Sequence, residues 1–166
     1  MNAMREVLID KVVINIGIGE SGERQKKALK LLEEITGKAP TSTYAKKTIR
    51  NFGIRKGEAI GAKVTLRGSD ALEFLKKALT VNENRLSARQ IGDGYFSFGI
   101  HEHIDLPGVD YDPDMGIFGM DVSVSLKRRG YRVARRKIAR SKVGKNHRVT
   151  RHDTVEFLKS IGVEVE

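Results

Sequence analysis

Five short segments typical of β-strands, four of them with alternating apolar and polar residues, place the strongest constraint on the fold of this chain. Alternation with a period of two sends successive side chains to opposite faces of a β-strand, so each segment predicts a strand with one buried face. In the first segment, residues 11–16, the side chains of Val12, Ile14 and Ile16 share the apolar phase. The other predicted strands cover 41–49, 60–67, 95–100 and 118–126.

Helical periodicity occurs between these strands. In residues 21–36, apolar side chains follow an i, i+3, i+4, i+7 stripe, and Gly37 stands where a C-terminal cap belongs. Two more helices are predicted, over 70–79 and from about Thr150 or Asp153 to Ile161. This order predicts an α+β two-layer sandwich, a mainly antiparallel sheet of about five strands with helices on one face. Because the pattern holds no repeat, linker or second core, residues 1–166 are expected to form a single domain.

The net charge of +10 is concentrated in one stretch of the chain. Residues 122–152 contain twelve Lys or Arg and no Asp or Glu, while the rest of the chain holds 19 basic and 21 acidic residues. A second basic region, 38–67, has eight Lys or Arg opposed only by Glu58. Residues 90–126, in contrast, have seven acids and no Lys or Arg. This distribution indicates two surfaces that face an anion and one acidic surface.

The composition excludes several classes of protein. The chain has no cysteine, which rules out disulfides, thiolate zinc sites and cysteine nucleophiles. No run of about 18 apolar residues exists to span a membrane, and residues 1–5 lack the layout of a signal peptide. No serine stands in a nucleophile elbow and no phosphate-binding glycine loop is complete, so no catalytic, cofactor or metal site is expected.

The exposed phase of the predicted strands carries hydrogen-bonding side chains with cations among them. Such a surface can contact the phosphates and sugar hydroxyls of RNA. A solvated polar face is also the ordinary state of an antiparallel sheet, so the pattern alone leaves both interpretations open. The residues of this face are Lys11, Asn15, Thr41, Thr43, Lys63, Thr65, Arg67, Tyr95, Ser97, Ser123 and Ser125.

Two other functions remain open at this point. A nuclease could use His101, Glu102 and His103, because two histidines that flank one residue of a strand share a face. A DNA-compacting protein could use the positive charge alone. The stretch 132–148 mixes basic with small and apolar residues. This mixture favours a partly ordered insertion that becomes ordered on contact with RNA, rather than a disordered basic tail.

Six motifs follow one another along nearly the whole chain: KVVINIGIG at 11–19, ITGKAP at 35–40, KKTIRNFGIRKG at 46–57, IGAKVTLRG at 60–68, FGI at 98–100 and PGVDYD at 107–112. Together they closely resemble the ribosomal protein L-five family of the large subunit. A basic insertion at about 127–149 departs from the shorter bacterial members and looks like the archaeal and eukaryotic branch.

The resemblance implies a structural protein without enzymatic activity, located in the cytoplasmic ribosome. Members of this family bind 5S rRNA and help to anchor it in the central protuberance. They also contact large-subunit rRNA and neighbouring large-subunit proteins, approach the P-site tRNA and form an intersubunit bridge with a small-subunit head protein. The resemblance implies no cofactor and no membrane partner.

Carried onto this sequence, the resemblance implies three sets of RNA contacts. The expected 5S rRNA contacts are Asn15, Thr41, Thr43, Lys46, Lys47, Lys63, Thr65 and Arg67. The loop with Arg50, Arg55 and Lys56 matches the part of the family that reaches P-site tRNA. The expected contacts with other rRNA are Arg128, Arg129, Arg132, Arg135, Arg136 and Lys137. The acidic segment 110–114 is expected to face the bridge protein.

Overall fold

A six-stranded antiparallel sheet is the central element of the structure, a computed structural model that describes residues 2–166. The strands along the chain are β1 (Val7–Gly17), β2 (Thr41–Tyr44), β3 (Ala59–Leu66), β4 (Arg85–Leu86), β5 (Ile91–Gly92), β6 (Tyr95–Ile100), β7 (Met120–Arg128) and β8 (Glu164–Val165). Six of them form the sheet in the order β2-β3-β1-β7-β6-β5, while β4 and β8 make a separate parallel pair. The first strand therefore occupies the centre of the sheet, between β3 and β7.

Three helices lie on one face of this sheet: α1 (Glu23–Thr36), α2 (Ser69–Val81) and α3 (Arg151–Ser160). Helix α1 ends where Gly37 adopts the left-handed conformation and its amide bonds the carbonyl of Glu33 at 2.7 Å. Helix α3 begins after Thr150, whose hydroxyl accepts from the amide of Asp153 while the Asp153 carboxylate accepts from the amide of Thr150. Reciprocal bonds of this kind satisfy amides that the first turn of a helix leaves free.

The apolar phase of the strands packs against the helices in one hydrophobic cluster. Val12, Ile14 and Ile16 of β1 are completely buried, as are Leu32 of α1 and Leu75 of α2. Burying each such side chain contributes about 1.5–3 kcal/mol. The alternate side chains point to the other face, and within residues 2–166 no α-helix lies on it. The predicted α+β arrangement with helices on one face is confirmed.

The second strand is shorter than predicted. The pattern over 41–49 predicts a strand of nine residues, but β2 ends at Tyr44, where the register with β3 shifts. The chain then forms a loop, 45–58, whose base is closed by a bond from the Ala45 amide to the Glu58 carbonyl at 2.8 Å. The lysines that follow Tyr44 therefore lie in this loop and not in the sheet.

The remaining differences lie at the ends of elements, and the largest is in β1, which begins at Val7, four residues before the predicted start at 11. Helix α1 begins two residues later than the pattern predicts, α2 continues two residues further, and β7 runs from Met120 to Arg128 instead of from 118 to 126. The sixth strand of the sheet, β5, and the pair β4–β8 were not predicted. Each of these strands has only two residues, too few to show an alternating pattern.

A β-bulge interrupts the central strand. Ile9 pairs with Leu126 of β7 and Lys11 pairs with the neighbouring Ser125, so Asp10 is the extra residue of β1. Its backbone has no partner position on β7, yet its side chain is almost fully buried. This carboxylate lies at one end of the polar face and organises the segment that follows β7.

Candidate RNA-binding surface

Cross-strand pairing brings the predicted polar residues of β1, β2 and β3 onto one surface. Lys63 of β3 lies between Thr41 of β2 and Asn15 of β1, and Thr65 lies opposite Val13. Side chains that are directly opposite on neighbouring strands have Cβ atoms about 4.5–5.5 Å apart. Thr41, Lys63 and Thr65 are exposed and Asn15 is half-buried, so they form a continuous row that faces solvent.

Thr43 joins this surface because the residue that faces it on β3 is Gly61. A Cβ atom at position 61 would lie 2.7 Å from the Thr43 Oγ1 and 2.6 Å from the carbonyl oxygen of Ile16. Neither distance is compatible with a side chain, so only glycine fits here. Gly61 thereby allows the threonine to lie across β3 and extends the row of polar groups.

The half of the sheet formed by β7 and β6 has a different charge. Asp121 of β7 is exposed and lies opposite Asn15 on one side and Gly99 on the other. The sequence places it in the exposed phase of its strand, but the face predicted above leaves it out. Because a carboxylate repels phosphate, the part of the face that favours RNA is the half formed by β2, β3 and β1.

Most of the predicted tRNA-binding and phosphate-binding cations lie in the loop 45–58. Inside the loop, Ile49 and Ile54 form an antiparallel bridge, and the amide of Gly53 bonds the carbonyl of Arg50 at 3.0 Å. The basic side chains are all exposed, and within residues 2–166 none of them forms an ion pair. They are Lys46, Lys47, Arg50, Arg55 and Lys56.

The only acid of this region, Glu58, holds the loop in place instead of neutralising it. Its Oε1 accepts from the hydroxyl of Ser21 at 2.5 Å, and its Oε2 accepts from the backbone amide of Arg55 at 2.9 Å. The Ser21 bond, followed by the Arg55 amide bond, lowers the pKa of Glu58. Bonds from uncharged groups thus lower this pKa most and the charge of Arg55 adds a smaller effect, but the Arg55 side chain forms no ion pair with Glu58.

The basic segment, residues 127–149, is folded across one end of the polar face. Tyr131 stabilises its two ends, because its hydroxyl accepts from the amide of Val149 at 2.9 Å and donates to the carbonyl of His147 at 3.3 Å. The Nε2 of His147 bonds in turn the carbonyl of Arg129 at 2.7 Å. These bonds lie entirely within the protein and join the two ends of the segment.

Asp10 is the main tertiary anchor of the basic segment. The guanidinium of Arg135 donates to both of its carboxylate oxygens, Nη1 to Oδ1 at 2.9 Å and Nη2 to Oδ2 at 2.5 Å. Lys127 Nζ lies 3.2 Å and Arg67 Nη1 lies 3.8 Å from Oδ1. The Arg135 bond lowers the pKa of Asp10 most strongly, burial opposes it and Lys127 assists, with a result of about 2.

Arg128 is also engaged within the protein. Its side chain is 10% exposed, and Nη2 bonds Asp153 Oδ1 at 2.7 Å. Burial raises the pKa of Asp153, but bonds from Thr150 and the charge of Arg128 outweigh that effect and lower it. Arg128 therefore joins the end of β7 to the start of α3, and little of its guanidinium faces solvent.

The other predicted rRNA contacts of the basic segment differ in accessibility. Arg129 pairs with Glu6 at 3.1 Å, and Arg136 Nε bonds the carbonyl of Ala139 at 2.7 Å. Arg132 and Lys137 are exposed and form no ion pair among the described residues. The six basic residues predicted as one set of rRNA contacts thus fall into two groups. Some bond to other groups of the protein, and the others are exposed without an ion pair among the described residues.

The histidine pair does not form a metal site. The strand β6 ends at Ile100, so the assumption that His101 and His103 share one face of a strand is wrong. His101 is exposed, whereas His103 is buried and its Nδ1 accepts from the amide of Phe118 at 3.2 Å. Across residues 2–166 no group of three or more His, Asp or Glu side chains is arranged to hold a metal ion.

The acidic segment 110–114 lies on the surface, next to α1. Lys27 Nζ of that helix donates to the backbone carbonyl of Asp114 at 2.5 Å. The side chains of Lys27 and Asp114 form no ion pair. The carboxylates of Asp110, Asp112 and Asp114 are exposed.

In the described part of the chain, no helix combines the length and the apolar composition that a membrane span requires.

A cavity that the sequence does not indicate opens between the basic segment and the β5–β6 end of the sheet. Its volume is about 770 Å³, and Tyr95 and Ser125 of the sheet form one wall. Lys142, Lys145 and Arg148 line the other side. In the sequence these three residues are part of a charged stretch, and nothing in the local pattern shows that they converge on Tyr95.

Comparison with known proteins agrees with this architecture. The family model for ribosomal protein L5 matches residues 2–55, and a second model, for the C-terminus of the same ribosomal family, matches residues 59–157. The two matched regions share one sheet, since β1 belongs to the first and pairs with β3 and β7 of the second.

Archaeal relatives are similar over nearly the full length. Large ribosomal subunit protein uL5 of Archaeoglobus fulgidus is 72% identical over 165 residues, which cover 99% of this chain and 93% of that protein. The proteins of the same name from Sulfurisphaera tokodaii and Methanococcoides burtonii are 52% and 48% identical, over 96% and 99% of this chain and 91% and 99% of theirs. This chain therefore belongs to the ribosomal protein L5 family and is a structural component of the large subunit of the cytoplasmic ribosome, not an enzyme.

Proposed function

We propose that this protein binds 5S rRNA through the half of the polar face formed by β2, β3 and β1, and that it helps to attach 5S rRNA in the central protuberance. The whole chain acts as one binding unit in this proposal. The observation that carries it is the continuous row of Thr41, Lys63 and Asn15 across three strands. This row combines hydroxyl and amide groups with a cation that has no acidic partner among the described residues.

The chemistry of the row suits a folded RNA. Hydroxyl and amide side chains can bond sugar hydroxyls and base edges in the shallow minor groove, which is the accessible groove of an RNA helix. Lys63 supplies a phosphate contact, as do Lys46 and Lys47 from the adjoining loop. Arg67 lies at the far end of β3 and shares Asp10 with the basic segment. Its attraction to phosphate is therefore weaker than that of an unpaired arginine.

We further propose that the loop 45–58 contacts P-site tRNA. Its cations Arg50, Arg55 and Lys56 are exposed, and the loop is held at its base by the bonds of Glu58 to Ser21 and Arg55. A loop fixed in this way loses little conformational entropy when it binds. Because the loop extends past the ends of β2 and β3, it can contact a second RNA while the sheet holds the first.

Two further partners complete the proposal. The exposed residues of the basic segment, Arg132 and Lys137 foremost, contact large-subunit rRNA. The acidic segment 110–114 contacts a basic protein of the small-subunit head and so forms an intersubunit bridge, and neighbouring large-subunit proteins share the remaining surface. The acidic segment lies beside the helices and the basic segment on the polar face, and this separation of charge favours the division, because carboxylates repel RNA.

A pair of variants with the same charge change tests the 5S rRNA site. Lys63→Gln removes one positive charge from the polar face, and Lys76→Gln removes one from the exposed side of α2. We expect Lys63→Gln to weaken 5S rRNA binding about fivefold. The slope of log affinity against log salt concentration should become about one unit shallower, since the variant loses one phosphate contact. Lys76→Gln should leave both quantities unchanged. Equal losses in the two variants would show that net charge, and not this face, determines binding.

A further inference from the structure

The cavity between the basic segment and the end of the sheet has the features of a nucleotide-binding pocket. Its volume of about 770 Å³ lies within the range of about 300–1,000 Å³ typical of small-ligand sites. One wall carries an exposed aromatic ring, that of Tyr95, and the opposite side carries three cations. An aromatic ring facing several cations is the combination that single-stranded nucleic acid requires.

Tyr95 is held in a position suited to stacking. Its ring lies directly across Gly92 of the neighbouring strand β5, so that a Cβ atom at position 92 would collide with the Tyr95 Cζ. The ring therefore packs on the backbone of Gly92, and a side chain at position 92 would displace it. Tyr95 as a whole is nevertheless 58% exposed, which leaves its outer side open to a ligand.

The charges that line the cavity are unevenly compensated. Arg135 is occupied by Asp10, and Asp93 accepts from the amide of Arg151 at the start of α3 at 2.9 Å. Lys142, Lys145 and Arg148, the three remaining cations, form no ion pair among the described residues. The lining therefore carries an excess of positive charge next to the aromatic wall.

We infer that this cavity takes up one unpaired nucleotide of ribosomal RNA, with its base stacked on Tyr95 and its phosphate among Lys142, Lys145 and Arg148. The inference rests on the proposal that the protein binds ribosomal RNA, and it adds a site separate from the row on β2, β3 and β1. A duplex does not fit, because its bases are already stacked on each other. The nucleotide comes either from 5S rRNA or from the large-subunit rRNA next to it.

Two substitutions at Tyr95 distinguish stacking of a base on the aromatic ring from contact with any large apolar side chain. Tyr95→Phe keeps the aromatic ring, whereas Tyr95→Leu keeps a large apolar side chain and removes the ring. Binding of each variant is measured against 5S rRNA, against the large-subunit rRNA fragment that adjoins it, and against a fully paired RNA of equal length. We expect Tyr95→Leu to weaken binding to one of the first two RNAs about tenfold, and Tyr95→Phe to stay within about twofold of the wild type.

The outcomes distinguish this inference from the proposed 5S rRNA site. Equal binding by the Leu and Phe variants to both ribosomal RNAs would overturn the pocket, as would the same loss on the fully paired RNA. A loss confined to the large-subunit fragment supports the pocket even if Lys63→Gln has no effect on 5S rRNA. Leu72→Ala, a substitution on the exposed side of α2, controls for a general effect of removing surface apolar area.

Discussion

Arg135 and Asp10 are 125 residues apart in the sequence, and the guanidinium of the first donates to both carboxylate oxygens of the second. The carboxylate is 1% exposed while the arginine side chain is 55% exposed, so the pair lies at the boundary between the sheet and the basic segment. An acid in a protein that binds RNA weakens the attraction to phosphate when it is exposed. Here the acid is buried and fixes the position of a basic segment.

This pair predicts a specific dependence of stability on pH. The pKa of Asp10 is lowered from 3.8 to about 2 in the folded protein, so its stabilising effect is complete above pH 4 and is lost as the pH falls towards 2. The shift corresponds to about 2 kcal/mol of unfolding free energy. We therefore expect Asp10→Asn to be less stable than the wild type by about this amount at pH 6, as measured by denaturant unfolding.

The comparison of the two proteins at low pH isolates Asp10 from the other acids. Contributions that the two proteins share cancel in the comparison, so the difference between their unfolding free energies should shrink between pH 4 and pH 2. A difference that stays constant over this range would mean that the charge of Asp10 does not stabilise the fold.

The same substitution should loosen the basic segment locally. The amides of Arg135 and Arg136 bond the carbonyl of Arg132, and the amide of Ser141 bonds the carbonyl of Val133. With the anchor removed, we expect these amides to exchange with deuterium about tenfold faster, because local opening becomes less costly. Glu6→Gln, which removes the exposed partner of Arg129, should have little effect on them, since surface ion pairs contribute only about 0–1 kcal/mol. Unchanged exchange in Asp10→Asn would contradict the role of Asp10 as an anchor.

Tyr131→Phe tests the second fixing point of the basic segment. The substitution removes one hydroxyl that bonds both His147 and Val149 and leaves the amide of Val149 without its partner. We expect the free energy of unfolding to fall by about 1–2 kcal/mol. Tyr44→Phe, at an exposed tyrosine near the end of β2, should change it by less than about 0.5 kcal/mol. If the two variants are equally stable, the bonds of Tyr131 do not hold the segment.

The proposed tRNA contact is tested by a pair of double variants. Arg55→Gln with Lys56→Gln removes two charges from the loop 45–58, and Lys76→Gln with Lys77→Gln removes two from α2. We expect the loop variant to weaken binding to isolated tRNA about tenfold while its affinity for 5S rRNA changes by less than about threefold. The helix variant should alter neither affinity. A loop variant that binds tRNA as the wild type does would exclude this loop as the contact.

The sequence predicts the buried phase of a strand well where apolar and polar side chains alternate, as in β1 and β6. The apolar phase of β1, with Val12, Ile14 and Ile16, is buried as predicted, and the boundaries of β6 are those that its pattern indicates. Burial of one face fixes the phase of every residue in such a strand, because a slip by one residue would exchange the two faces. The polar face follows from the same rule.

The partners of charged residues could not be predicted in this way. The bulge at Asp10 breaks the alternation of β1 and is detectable only from its pairing with β7. Arg128 follows the predicted end of its strand and looks like part of a solvated stretch, but β7 continues through it and directs it towards Asp153. Both cases depend on contacts between residues that are far apart in the sequence, which no local pattern records.

The end of β2 illustrates the same limit on a smaller scale. Residues 45–49 continue a pattern typical of a strand, and local propensity gives no reason to stop at Tyr44. The chain turns away there because the loop 45–58 closes on itself, with Ala45 bonded to Glu58 and Gly57. These bonds involve residues at the other end of the loop, which no local pattern indicates. The sequence therefore predicts that Lys46 and Lys47 are exposed, but not that they lie in a loop instead of a strand.

The central claim, that the hydrogen-bonding groups of the polar face select 5S rRNA, is tested most directly by the affinity of Thr65→Val for 5S rRNA. This substitution removes one hydroxyl from an exposed site on β3 and preserves the shape and the charge. Thr80→Val removes a hydroxyl from the exposed side of α2, where that hydroxyl donates to the carbonyl of Lys77 in the same helix. We predict that Thr65→Val weakens binding about three- to tenfold at physiological salt with the fold intact, and that Thr80→Val binds as the wild type does. Equal affinities for wild type, Thr65→Val and Thr80→Val would contradict the account and move the 5S rRNA site off this face.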